Sequence, residues 1–442
     1  LALLAASLAP AAASGAAWPA ATLGLDPTFN PLGAPPGVLT AGVQGEGAAA
    51  LDAALGPDGS LVVVGYVEGG DRDRSLVLRL RPDGGLDPAF NPAGPLPGAL
   101  IGGEGCAGGL DWANQVEVSA DGSILVACLA SRSVTGPLSV ARLTRSGALD
   151  PAWANAAGGR RSFSGAAVSA LASDGAGGAY AVVQGASLGP AGDRHTTLVR
   201  LDASGGLDGG FGHVGGAAPL DDCSLGCLEV SGLARTPTGD VVVAGWRPFP
   251  APDGGVGHRS RLLRYDAEGR PKPLYSGVSR LPALVRSLAV DADGALVISG
   301  RYDGEEGLDP APFVARLDAD GVPDPLFGAS GGVRVGAVLH PLTPWPQREV
   351  QAAAPAPGGA VVAAGLEADP RSAPHLTLLH LAPGLRPAQT GVRTPLAAGA
   401  ASEIRALLPA GPGAWTAVGT LLSPGPSGAA QPRLLAARVA GG

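Results

Sequence analysis

Titratable side chains recur along this chain at matching places in a repeated segment, and those places are where chemistry could occur. Aligned on the repeat, Glu229, Glu349 and Glu403 fall at one level of the first strand-like run of their copies. Two residues further on stand Asn114, Ser231, Arg286, Gln351 and Arg405. Carboxylates and guanidinium groups gathered in a narrow passage can hold a cation or a small polar ligand. They can equally pair with one another and order water. A second set opens the third run of five copies: Arg74, His195, Arg259, His375 and Arg433. Arranged as a ring, these would attract acidic groups such as surface polysaccharide or the carboxylates of a protein partner; as separate strand ends they keep a sheet rim polar.

Signatures of known catalytic machinery are missing. Nucleophilic catalysis needs a nucleophile beside a base, and glycosidic chemistry needs two carboxylates at a defined separation. No Gly-x-Ser-x-Gly elbow occurs, and the six histidines form no ligand pair at helical spacing. Asp291-Ala292-Asp293-Gly294 and Asp318-Ala319-Asp320-Gly321 share only the opening of a calcium loop and read as turns. The expectation is a protein that is not an enzyme, with no catalytic residue, metal or cofactor. The alternative is a hydrolase or lyase using channel carboxylates and a divalent metal. Four cysteines fit an oxidising compartment. Cys223 and Cys227 can bridge locally and Cys106 can meet Cys128, but three pairings are open. A metal site at Cys223 and Cys227, with His213 nearby, is the competing reading.

The elements that would position these residues are set by the repeat itself. Asp58-Gly59-Ser60-Leu61-Val62-Val63-Val64-Gly65 returns six times, closing at Cys128, Gly185, Gly245, Gly300, Gly365 and Gly419. The copies are roughly 59 residues apart on average, a period that belongs to repeat architectures. Each copy holds four strand-like runs. In the first they are Ala48–Leu55, Leu61–Val67, Ser75–Arg81 and Gly85–Asn91, bounded by Gly, Asp and Pro. Asp-Gly turns join the first run to the second and the third to the fourth, and they supply the positive φ that tight hairpins need. The fold class is therefore all-β: a seven-bladed β-propeller with four antiparallel strands per blade. The seventh copy ends after its third run. Residues 22–31 match the fourth run of the first copy, so an N-terminal strand is expected to close the last blade.

The phrase Arg-Leu-x-x-x-Gly-x-Leu-Asp-x-x-Phe runs from Arg79 to Phe90 and from Arg200 to Phe211, with variants at Arg142 to Trp153 and Arg316 to Phe327. It resembles the delta-60 repeat family of bacterial secreted proteins, over about residues 22–440. The resemblance implies a propeller-like repeat and an extracytoplasmic setting, and it implies no reaction. The phrase-ending aromatics Phe29, Phe90, Trp153, Phe211 and Phe327 are expected to fill the seams between blades.

Composition narrows the partners. A net charge of −8 and a single lysine, Lys272, argue against nucleic acid, which is held by clustered cations. Residues 1–15 read as the remnant of a secretory signal peptide, leaving residues 16–442 as a single propeller domain. No other apolar run is long enough to span a membrane. The functional expectation is a secreted, periplasmic or cell-surface monomer that binds a protein or glycan. Its site is expected on the face carrying the long loops between second and third runs, because binding residues concentrate on elaborated loops held by a rigid scaffold.

Overall fold

The computed structural model describes residues 23–441, apart from 70–72, 103–105, 107–110, 131–137, 155–157, 164–166, 188–193, 213–215, 222–226, 251–255, 274–281, 304–310, 328–348, 368–374, 384–388, 397–399 and 425–429. The proposed signal remnant at 1–15 lies outside the described residues. Seven antiparallel sheets follow one another along the chain, and they form the blades of a β-propeller. Blade one is the pattern for the rest: Ala48–Leu55 innermost, then Leu61–Val67, Arg74–Leu80 and Ala99–Ile101 at the rim. The second strand is buried on both sides. Leu61 and Val63 pack toward blade seven, and Val62 and Val64 toward blade two, so the strand reads as an unbroken apolar run.

The fourth strand is not where the sequence places it. Within Gly85–Asn91 only Leu86 bridges back to Leu80, and the strand proper is Ala99–Ile101. The Leu-Asp-x-x-Phe segment between them is a turn. Asp87 accepts a hydrogen bond from the Ala89 amide at 3.1 Å, the Asp-centred turn that competes with strand pairing. The ring closes in the same broken fashion. Leu23–Leu25 pairs with Val439–Gly441, and Val38–Ala41 pairs with Leu434–Ala437. The two terminal segments thus complete the seventh blade, as expected, but through two short strands instead of one run across 22–31.

The turn between those short strands clamps neighbouring blades together. Phe29, Phe90, Trp153 and Phe211 are almost fully buried. Each lies against the glycine of the following blade's third-to-fourth turn: Gly84, Gly147, Gly205 and Gly269. Gly147 shows why glycine is required there, with φ of 85° and the Phe90 ring where a Cβ would stand. The residue after each aromatic also turns left-handed, and its amide crosses the seam. Asn91 N donates to Ser146 O at 2.8 Å, and Asn30 N to Asp83 O at 2.7 Å.

The arginine of the phrase locks this turn from inside. Arg79 is 5% exposed and pairs with Asp58 at 2.6 Å and Asp87 at 3.2 Å. Arg142 and Arg200 repeat the pattern with Asp121 and Asp150, and with Asp174 and Asp208. In blade four Lys272 takes the second aspartate's place, and it joins Arg264 on Asp240. Burial works against the Asp58 anion, but bonds from Ser60 and the charges of Arg79 and Arg145 prevail and hold its carboxyl down at about 2.

Candidate functional site at the channel mouth

Six innermost strands break register at one level. The breaks fall between Ala50 and Asp52, Ala113 and Gln115, Val168 and Ala170, Val230 and Gly232, Val285 and Ser287, and Ile404 and Ala406. A bulge leaves one residue unpaired and re-aims its side chain. Here the unpaired residues are Leu51, Asn114, Ser169, Ser231, Arg286 and Arg405. Gln351 holds the matching place in blade six, where its amide donates to Ala364 O at 3.1 Å. The closing glycine of the repeat answers this bulge: a Cβ on Gly65 would collide with the carbonyl of Ala49. The same approach is made at Gly245, Gly300 and Gly419. In blade three the equivalent residue is Val183, opposite Val168, and not Gly185.

The bulged residues other than Asn114, together with Glu229, Glu349 and Glu403, line a cavity of about 330 Å³. Since each inner strand runs from here to a tight turn, the cavity lies toward the opposite, long-loop end of the channel. Arg286 donates from Nε to Glu349 Oε2 at 3.0 Å, and Arg405 pairs with Glu403. Gln351 Oε1 accepts from the amides of Leu366 at 3.0 Å and Ile404 at 2.9 Å, tying blade six to blade seven. Ser231 Oγ donates to Val285 O at 2.6 Å, and Asn114 Nδ2 to Val168 O at 2.6 Å. Glu229 lies on the wall beside its strand partner Trp246, and both face the cavity. The residues aligned from sequence therefore meet at the channel, apart from Asn114, which is spent on the blade seam.

Two carboxylates that sequence reasoning missed sit deeper. Asp52 lines the cavity and accepts hydrogen bonds from the amides of Ala53 and Val116, both at 2.9 Å. Burial pushes its carboxyl up to about 7, against those two amides and the charge of Arg405. Glu117 is pushed up to about 7 by burial as well, opposed by a bond from the Ser173 backbone and reinforced by the Asp52 charge. A lone carboxylate inside the apolar run Ala48-Ala49-Ala50-Leu51-Asp52-Ala53-Ala54-Leu55 was the available signal.

The second set of predicted residues does share one register: Arg74, His195, Arg259, His375 and Arg433 lie opposite Val67, Ala186, Arg247, Glu367 and Leu421. These are third strands, two positions out from the axis, and none of the five lines the channel cavity. Arg74 pairs with Glu46, and the Arg259 guanidinium lies 4.7 Å from the Phe249 ring centroid. The latter contact belongs to the longest second hairpin of the middle blades, Val241–Pro250 with Val256–Tyr265. At its base Trp246 meets His258 edge to face at 4.6 Å, and His258 Nδ1 is 2.6 Å from Asp303 Oδ2.

Cys106 and Cys128 form a disulfide. Cys227 is also disulfide-bonded, while Cys223 and His213 lie outside the described residues. Among the described residues no three His, Cys, Asp or Glu side chains are grouped to hold a metal ion. No helix among them is long and apolar enough to cross a membrane.

Comparison with known proteins places the chain among propellers. A family described as "Domain of unknown function (DUF5122) beta-propeller" matches residues 56–90 and 292–327, each a stretch from an Asp-Gly turn to a clamp phenylalanine. No curated protein sequence matches. Among solved structures, the polysaccharide lyase Uly1 is similar over 89% of this chain and 90% of its own, with 10% identity and a TM-score of 0.49. A protein of unknown function from Dyadobacter fermentans DSM 18053 is similar over 92% and 100%, with 12% identity and a TM-score of 0.45. A PL25 ulvan lyase is similar over 78% of each chain, with 9% identity and a TM-score of 0.41. The expectation that the chain is not an enzyme is corrected by this result, because polysaccharide lyases stand among its matches. The physical reason is that a propeller collects its site from strands far apart in sequence, so missing local motifs do not exclude catalysis.

Proposed function

We propose that the chain is an extracytoplasmic β-propeller, built of delta-60-type repeats, that binds a saccharide at the long-loop mouth of its channel. The cavity of about 330 Å³ carries this reading: it has the size of a small-ligand site and is walled by hydroxyl, amide, carboxylate and guanidinium groups around one indole. A sugar ring offers hydroxyls at its edge and C–H groups on its faces, so it needs both kinds of wall. The Arg286–Glu349 and Arg405–Glu403 pairs are held in place before any ligand arrives, and each presents donors beside acceptors. The Cys106–Cys128 bridge accords with an oxidising compartment. Isothermal titration calorimetry against a panel of oligosaccharides tests the reading. Wild-type protein is expected to bind at least one member, and Trp246→Ala to lose about tenfold in affinity. Absence of binding across the panel, or equal binding by the variant, overturns it.

A further inference from the structure

We infer that the saccharide taken by this site carries a positive charge, as an amino sugar does; the inference rests on the saccharide reading and names its substrate class. The cavity wall holds the carboxyl groups of Asp52, Glu229, Glu349 and Glu403 against the guanidinium groups of Arg286 and Arg405. Both arginines are already engaged, Arg286 with Glu349 at 3.0 Å and Arg405 with Glu403. Burial pushes the Asp52 carboxyl up to about 7, so at neutral pH it carries only part of a charge. That leaves Glu229, which has no counter-charge at ion-pair distance among the described residues.

Its position makes the excess useful. Glu229 and Trp246 are register partners on adjacent strands of blade four, and both line the cavity. A carboxylate beside an indole is the combination that holds an ammonium group, since the ring's electron-rich face and the anion attract the same charge. A neutral sugar would leave that carboxylate merely solvated, and an anionic sugar would be repelled by it.

The test is a calorimetric titration with three oligosaccharides of equal length and linkage: β-1,4-linked glucosamine, its N-acetylated form, and the neutral glucose oligomer. The glucosamine oligomer is expected to bind about tenfold more tightly than the other two, and to lose that advantage in high salt. Glu229→Gln is expected to abolish the advantage of the glucosamine oligomer over the other two, and a variant that keeps that advantage overturns the assignment. Equal binding of the three by wild-type protein, or preference for an acidic oligosaccharide, overturns the charge assignment and leaves the saccharide reading standing. If none of the three binds while other saccharides of the panel do, the charge assignment falls alone. If no saccharide binds at all, both fall.

Discussion

Asp52 interrupts an apolar strand, and its carboxylate spans a blade seam by accepting the Val116 amide. Burial raises its pKa from 3.8 to about 7, and Glu117 beside it is raised to about 7 by the same cause. Both carboxyls therefore bind protons in the folded protein at pH values where the unfolded chain has released them. Their contribution to stability falls as pH rises from about 4 to about 7 and stays level above that, where both anions are carried in full. Asp52→Asn cannot ionise, and its side-chain oxygen still accepts one of the two amides. The variant should show a shallower fall in melting temperature across that interval than wild type, with its largest advantage near pH 8. Circular dichroism melts at closely spaced pH values measure the slope directly. Identical slopes in the two proteins would show that Asp52 does not titrate in this range. Glu229 sits exposed on the cavity wall, where its carboxylate is available to a ligand.

At the scale of elements, the repeated phrase is a clamp in which each group has a task. The aromatic fills the seam, the residue after it crosses to the next blade, and the arginine anchors two aspartates. Phe90 is fully buried between blades one and two. Phe90→Ala should cost about 3–5 kcal/mol, the range for emptying a buried aromatic site, whereas Phe90→Leu should cost a fraction of that. Thermal unfolding of the two variants distinguishes a clamp from a surface turn, for which both changes would be nearly silent. This is also where reading the sequence succeeded in part. The inner and second strands were legible because β-branched and aliphatic runs between Asp-Gly turns admit one interpretation. The fourth strand was misplaced because Leu-Asp-x-x-Phe is regular and partly apolar, yet Asp87 folds its own backbone into a turn. Periodicity marks what recurs without saying whether it pairs.

For the whole molecule, the ring was legible from the match between Leu25-Asp26-Pro27-Thr28-Phe29-Asn30-Pro31 and Leu86-Asp87-Pro88-Ala89-Phe90-Asn91-Pro92. The channel was less so. Alignment put Glu229, Arg286, Glu349, Glu403 and Arg405 near one another, but which charges cancel depends on side-chain geometry, and the register break that aims them shows in the sequence only through the closing glycine of the repeat. Closure itself yields the last prediction. The strand Ala430–Gly441 is covered along its outer edge by Leu23–Leu25 and Val38–Ala41, and the Arg438 guanidinium lies 4.8 Å from the Phe29 ring centroid. Deleting residues 1–42 removes both short strands and Phe29 together. It leaves an unpaired edge on blade seven and opens its seam with blade one. The truncated protein should melt at lower temperature and associate at high concentration, as light scattering would report. A synthetic peptide of residues 22–43 added in trans should reoccupy the edge by strand addition and restore the melting temperature in a concentration-dependent way. The same peptide with Phe29→Ala should restore less, because edge pairing would return without the clamp. A truncated protein as stable as the full chain would mean that the ring is held by its other six seams and that terminal pairing is incidental.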